Sequence, residues 1–67
     1  MDFNTKLVND VCRIKENKLC TWKEVARDIG ISQMQLIRIK NGPQPPSLNI
    51  MTKRKLRDYI TKNQEYI

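Results

Sequence analysis

Residues 33–40 place amide, guanidinium and apolar side chains at close spacing. The amides of Gln33 and Gln35 can accept a hydrogen bond from adenine N6 and donate one to adenine N7. The forked donors of Arg38 match guanine O6 and N7, and apolar side chains such as Met34 and Ile37 can contact thymine methyls. This segment therefore predicts a surface that reads base edges, formed by Gln33, Met34, Gln35, Ile37 and Arg38.

Each of these side chains also has an ordinary structural interpretation. Exposed glutamines are common on helix surfaces, and an arginine can contact a phosphate or solvent instead of a base. Met34 and Ile37 can extend an apolar core towards the last helix. These alternatives stay open from the sequence.

The flanking residues predict two helices joined by a tight turn. Thr21 and Ser32 are suited to capping helix N-termini, Gly30 to forming the turn, and Asn41-Gly42 to ending the second helix. Apolar residues at helical spacing give each helix one buried stripe. These are Val25, Ala26 and Ile29 in the first helix, and Leu36 and Ile39 in the second.

This pattern resembles the helix-turn-helix of the Cro/C1-type (XRE-like) repressors, in which small, glycine and aliphatic residues occupy fixed positions. The residues of this chain that match are Val25, Ala26, Ile29, Gly30, Ile31, Leu36 and Ile39. Asn41-Gly42 and Pro46-Ser47-Leu48 resemble the usual continuation. Trp22 departs from the pattern, because the family often has glutamine at that position.

The length predicts one domain over residues 1–67, and the resemblance places the helix-turn-helix at about 21–42. The implied fold is all-α, a compact bundle of four or five short helices of the lambda-repressor-like type. The implied function is sequence-specific binding of double-stranded DNA by a small phage-type, Cro-like transcriptional repressor. Its recognition helix, residues 33–40, enters the major groove. We expect phosphate contacts from Trp22, Lys23, Lys40, Asn41, Lys53 and Arg54.

Two of these phosphate assignments compete with structural interpretations. Trp22 either packs over the first helix or donates its indole N–H to a phosphate near a helix N-terminus, where anions are favoured. Lys53, Arg54, Lys55 and Arg57 are either a solvated helix face or a cluster neutralised by phosphates.

The outer helices are less regular. Phe3, Leu7, Val11 and Ile14 predict a first helix over residues 3–17. Gly42 to Pro46 form a stiff connector, and Ser47 or Thr52 is expected to cap a last helix that ends near Lys62. The apolar stripe of that helix is narrower than is usual in the family; it comprises Leu48, Met51, Leu56, Tyr59 and Ile60.

Composition limits the function classes. The 67 residues include 13 Lys and Arg against 7 Asp and Glu, a net charge of +6, which favours a nucleic-acid partner. With no histidine and no catalytic constellation, we expect no enzymatic activity, metal, cofactor or small-molecule ligand. Cys12 and Cys20 are expected to be reduced, buried thiols. No signal peptide or membrane segment is expected, so the expected location is the cytoplasm of a bacterial or phage-infected cell, on DNA.

Two alternative functions share this fold. One is an excisionase-like recombination directionality factor that bends DNA, and the other is a protein-binding antirepressor. We also expect a weak homodimer that is strengthened on an operator. Its contact surface is predicted at the C-terminal end of the chain, where it would comprise Tyr59, Ile60, Tyr66 and Ile67.

Overall fold

Four helices make up most of the computed structural model, which describes residues 3–42 and 48–67. They are α1 (Phe3–Lys18), α2 (Trp22–Ile29), α3 (Gln33–Asn41) and α4 (Ile50–Lys62). A 3-10 turn over Gln64–Tyr66 takes the place of a fifth helix, and the two described ranges contain no strand. The predicted all-α bundle is confirmed.

The core lies where α1 packs along α4 and where α2 lies against both α3 and α4. Leu36 is the residue that α3 contributes to the core cluster, so most of α3 remains on the surface. The cluster comprises Leu7, Val11, Ile14, Val25, Ala26, Ile29, Leu36, Leu56, Tyr59 and Ile60.

The predicted apolar stripes are wrong at two positions and only partly right at a third. Phe3 is 53% exposed, and Val8 is buried instead, because the buried face of α1 begins one turn further along the helix. Met51 is 57% exposed, while the neighbouring Thr52 is buried. Ile39 is half-buried, which leaves Leu36 as the main anchor of α3.

Helix α1 ends at a residue whose type does not predict a helix end. The helix continues to Lys18, and Leu19 then adopts a left-handed backbone with φ 58°. The amide of Leu19 donates to the Glu16 carbonyl and that of Cys20 to the Lys15 carbonyl, each at 3.4 Å. This is the hydrogen-bond pattern of a Schellman motif, in which glycine usually occupies the position of Leu19.

The N-cap of helix α4 lies between the two residues expected to cap it. The side chain of Asn49 accepts a hydrogen bond from the amide of Thr52 at 2.8 Å, so Asn49 is the N-cap. The assignment of Thr52 as the cap is wrong, since Thr52 lies inside the helix. Ser47 lies outside the described residues, as does most of the expected connector.

The C-terminal residues are less available to a partner than the sequence suggests. Tyr59 is 3% exposed and Ile60 is 7% exposed, because both pack in the core. The predicted contact surface is therefore wrong for these two residues; Tyr66 is half-buried and Ile67 is 43% exposed.

Both cysteines are free and only half-buried, so the prediction of largely buried thiols overestimated their enclosure. In the described part of the chain, no helix combines the length and apolar character needed to span a membrane.

Candidate nucleic-acid interface

The turn between α2 and α3 fixes how the two helices cross. Gly30 has φ 95°, a left-handed conformation that glycine adopts without the steric cost of a Cβ. The carbonyl of Ala26 accepts hydrogen bonds from the amides of Gly30 (2.9 Å) and Ile31 (3.0 Å). Ala26 itself is 2% exposed, so a small side chain lies in the buried part of this helix pair.

Side-chain caps define the starts of both helices. The Thr21 hydroxyl accepts from the Glu24 amide at 3.2 Å, and the Ser32 hydroxyl accepts from the Gln35 amide at 3.0 Å. Both predicted N-caps are confirmed. The residues that follow Ser32 are thereby held at the exposed N-terminal end of α3.

The outer side of α3 brings together four of the predicted base-contacting residues. Gln33, Met34, Ile37 and Arg38 line one open depression of about 490 Å³. We call these four residues the α3 surface. Met34 is 66% exposed and Ile37 is 38% exposed, so neither fills the core. A guanidinium nitrogen of Arg38 lies 3.8 Å from the Met34 sulfur, which places the charged group over the apolar part of the surface.

Gln33 connects this surface to a second depression of about 620 Å³ between α2 and α3. Lys23 and Arg27 contribute positive charge to the second depression, beside Gln33 and Glu24. Gln35 is exposed but lies outside the lining of both depressions. Gln33 therefore shares a depression with other predicted base-contacting residues, whereas Gln35 does not.

Trp22 contacts two lysines that come from different helices. The ammonium nitrogen of Lys15, on α1, is 5.4 Å from the centre of the Trp22 ring, and that of Lys40, on α3, is 5.1 Å from it. Lys40 also donates a hydrogen bond to the Asn41 side-chain oxygen at 3.0 Å. Trp22 is half-buried and packs against the core, as one of its two sequence interpretations proposed.

Lys15 is absent from the sequence-predicted site. Its side chain reaches Trp22 because the motif at Leu19 turns the chain sharply between α1 and α2. A left-handed leucine is uncommon, so no sequence signal indicated that Lys15 and Trp22 would meet.

The same lysines affect the pKa of a neighbouring thiol. Burial raises the pKa of Cys12 above its ordinary value of 9.0; Glu16 acts in the same direction, while Lys40 and Lys15 act against it. The thiol is thus predominantly protonated at neutral pH, and Lys15 and Lys40 both lie near the same part of α1.

The basic run on α4 divides between different surroundings. Lys55 donates to the carbonyl of Gly30 at 3.1 Å and therefore supports the turn between α2 and α3. Arg54 and Arg57 line a separate depression with the acidic Asp58. Lys53 is half-buried. Lys55 therefore has different surroundings from Arg54 and Arg57, which share one depression, and the phosphate contact expected of this run stays a prediction.

Within residues 3–42 and 48–67, no group of three or more Cys, His, Asp or Glu residues could hold a metal ion. The site therefore consists of an exposed helix face with amide, guanidinium and apolar groups, flanked by lysines and a tryptophan.

Comparisons of this chain with protein-family models, with curated proteins and with solved structures found no match.

Proposed function

We propose that this protein binds double-stranded DNA sequence-specifically and regulates transcription, as a repressor of the Cro-like kind. The observation that carries the proposal is the α3 surface, which presents an amide, a guanidinium and two apolar side chains on one exposed helix. A helix held by its N-cap and by one buried leucine, beside a second helix, is suited to the major groove.

Each member of the α3 surface has a role in this proposal. Gln33 is near the N-terminal end of α3, which enters the groove first, and it pairs with adenine. Arg38 pairs with guanine, while Met34 and Ile37 contact thymine methyls. Gln35 is assigned a contact at the margin of the site, because it lies outside the depression that the other four residues share.

Phosphate contacts on both sides of α3 hold the helix in register. Lys23 lies in the first turn of α2, where the helix dipole also favours anions. Lys40 and Asn41 end α3, and Lys53 and Arg54 lie at the start of α4. The net charge of +6 supports this assignment, since positive charge dominates non-specific affinity for DNA.

Self-association is proposed to be weak and to depend on DNA. Much of the apolar surface is used within the core, and the positive charge opposes the approach of a second copy. Two half-sites on one duplex raise the effective concentration of the second protomer and so permit cooperative binding from a small contact. The proposed location is on DNA in the cytoplasm of a bacterial or phage-infected cell.

Selection from a random duplex library at low salt tests the proposal. We expect enrichment of a defined site that contains an inverted repeat, with half-sites about one helical turn apart. Tandem direct repeats beside a recombination site would favour the excisionase-like alternative. Failure to bind any duplex at low salt contradicts the proposed function.

A protein-binding antirepressor is the second candidate, and the exposure of Met34 and Ile37 favours it. Apolar residues that share a surface with few charges are typical of protein contacts. Duplex binding at low salt separates the two functions, because an antirepressor on this fold has lost DNA binding. If the protein binds duplexes, Gln33→Ala then tests the base contact, since loss of an amide that pairs with a base lowers the affinity for one sequence more than for another. Equal loss of affinity for every duplex would count against base contact by this residue.

A further inference from the structure

Trp22, Lys15 and Lys40 form a group whose members come from α2, α1 and α3. We call this group the lysine–tryptophan cluster. Each ammonium lies within cation–π distance of the same indole ring, at 5.4 Å for Lys15 and 5.1 Å for Lys40. Its members are not neighbours in sequence, so the fold brings them together.

Two ammonium groups on one ring repel each other. Their separation cannot exceed the sum of the two distances to the ring, which is comparable to the Debye length of about 8–10 Å at moderate salt. Salt therefore screens the repulsion only in part. The Glu16 carboxylate is near enough to affect the Cys12 thiol, but the structure gives no ion pair between Glu16 and either lysine.

The indole ring offsets part of this repulsion. An ammonium near the face of a tryptophan is attracted by the ring quadrupole, and at exposed sites this attraction is modest. The ring also restricts the positions of two long side chains that otherwise sample many rotamers. The arrangement thus holds two cations in place without neutralising either of them.

We propose that the lysine–tryptophan cluster is a phosphate-binding site, in which the Trp22 ring positions Lys15 and Lys40 to bind one phosphate of the DNA backbone. The inference rests on the proposed DNA-binding function and adds Lys15 to the interface. It also changes the role of Trp22, whose ring face, and not its indole N–H, makes the contribution. Trp22 is a positioning residue, and the two lysines contact the phosphate.

The location of the cluster fits a backbone contact. Lys40 lies in the last turn of α3, the helix that carries the α3 surface, and Trp22 begins α2. A phosphate between Lys15 and Lys40 therefore lies beside the helix proposed to enter the major groove. It also connects α1 to the interface, which the sequence did not indicate.

Substitutions at Trp22 distinguish the ring from the indole N–H. Trp22→Phe keeps an aromatic face and removes the donor, whereas Trp22→Gln keeps an N–H donor and removes the face. We expect Trp22→Phe to bind a 20-base-pair duplex within about threefold of the wild type, and Trp22→Gln to bind about tenfold more weakly. The reverse order would show that the N–H donates to the phosphate and would overturn the positioning role. Circular dichroism of both variants confirms that each is folded before binding is compared.

Lys15→Gln tests the new phosphate contact directly. Because Lys40 still neutralises the shared phosphate, Lys15→Gln should weaken duplex binding at low salt, whereas the magnitude of the slope of log K against log salt should fall by about 0.9 only when Lys15 and Lys40 are both replaced. The matched control is Lys6→Gln, which changes the charge equally and lies about half a turn away around the same helix. We expect a larger loss of affinity in Lys15→Gln than in Lys6→Gln. Equal losses in the two variants, with wild-type DNA binding intact, would overturn the assignment of Lys15 while leaving the proposed function in place.

A double substitution tests whether one phosphate is shared. If Lys15 and Lys40 bind the same group, the affinity loss of the double Gln variant will differ from the sum of the single losses, because contacting sites are not additive. Strict additivity would contradict a shared phosphate.

Trp22 is the only tryptophan in the chain, so its fluorescence reports on this site in the unmodified protein. We expect a spectral change on addition of duplex DNA, and a smaller one in Lys15→Gln. Inorganic phosphate at matched ionic strength provides the second arm. A response to duplex alone identifies the DNA backbone as the source of the phosphate, whereas an equal response to inorganic phosphate at the same phosphate concentration overturns that choice. If the wild type binds no duplex at low salt, the proposed function fails, and this inference fails with it.

Discussion

The ammonium nitrogen of Lys55 lies 3.1 Å from the carbonyl oxygen of Gly30, which joins α4 to the turn between α2 and α3. A helix leaves its last carbonyl groups without partners, and a cation near that end satisfies them and opposes the negative end of the helix dipole. The contact spans 25 positions in the sequence. It gives one member of the basic run on α4 a structural role, separate from any contact with DNA.

Lys55→Met is therefore expected to destabilise the protein. The substitution keeps most of the apolar stem and removes the donor, so the free energy of unfolding should fall by about 0.5–1 kcal/mol. Urea unfolding followed by circular dichroism measures the change. Arg57→Met, at an exposed position of the same helix, is the control and should change stability by less. Equal effects of the two substitutions would show that the Gly30 contact contributes nothing specific.

Leu19→Gly should stabilise the protein. Leu19 has φ 58° and is 90% exposed, so glycine would relieve the left-handed strain and remove little packing. The strain costs a residue with a Cβ about 1–2 kcal/mol, and the greater freedom of glycine in the unfolded chain offsets part of the gain. We expect a net increase of about 0.5–1 kcal/mol in the free energy of unfolding. Leu19→Ala retains the Cβ and should give no comparable increase; similar gains from both would contradict the explanation by strain.

Tyr59→Phe should leave stability at neutral pH unchanged or raise it by about 1 kcal/mol. The Tyr59 hydroxyl is buried and has no hydrogen-bond partner among the described residues, and an unsatisfied buried group is costly. A thermal denaturation curve at pH 7 measures the effect. Tyr66→Phe, which keeps the ring that Lys18 contacts, is the matched control. A large loss of stability in Tyr59→Phe would show that the hydroxyl has a partner in the folded protein.

The same substitution should change the response to alkaline pH. Burial, with smaller contributions from Cys20 and Asp28, raises the pKa of Tyr59 from 10.0 to about 12. The folded state binds this proton more tightly than the unfolded state does. The contribution of the proton to the free energy of unfolding is therefore complete below pH 10 and is lost as the pH rises through 12. Stability measured between pH 10 and 12 should therefore fall less steeply in Tyr59→Phe than in the wild type. Parallel pH profiles would contradict this cause of alkaline unfolding.

The helix-turn-helix segment was the part of the fold that the sequence predicted best. Gly30, Thr21 and Ser32 act through local backbone geometry, so their residue types indicate their structural roles directly. Asn49 was missed as the cap of α4 because Ser47, Asn49 and Thr52 are all acceptable N-caps, and only the register of Leu56 against the core selects among them. Phe3 and Met51 were wrongly assigned to the core for a related reason. Each continues the apolar spacing of its own helix, but at an end of the helix that extends beyond the neighbouring helix.

The candidate site was predicted along α3 but not across helices. Residues on one helix have spacings that determine which of them share a face, so the grouping of Gln33, Met34, Ile37 and Arg38 could be anticipated. The contact of Lys15 with Trp22 depends on a left-handed leucine, and that of Lys55 with Gly30 depends on how α4 packs. Neither relationship has a signature in residue type or spacing.

Substitutions in α3 should separate base contacts from backbone contacts. Gln33→Ala and Arg38→Ala should each cost about 1–3 kcal/mol on the preferred site and relax the sequence preference at one position. Lys40→Ala should weaken binding to preferred and random duplexes alike. Competition titrations with both kinds of duplex measure these effects. A changed sequence preference in Lys40→Ala, with none in Gln33→Ala, would show that the recognition surface has been assigned to the wrong part of α3.

The salt dependence of duplex binding tests the central claim most directly. If Lys15 and Lys40 share one phosphate and Lys23, Lys53 and Arg54 each neutralise another, about four phosphates are neutralised per protomer, and log K should fall linearly with log salt with a slope of about −4. Fluorescence anisotropy of a labelled 20-base-pair duplex, measured across a series of salt concentrations, gives this slope. A steep linear decrease is the predicted result. An affinity that scarcely changes from low to high salt, or no measurable binding at low salt, would contradict the assignment of this protein as a DNA-binding regulator.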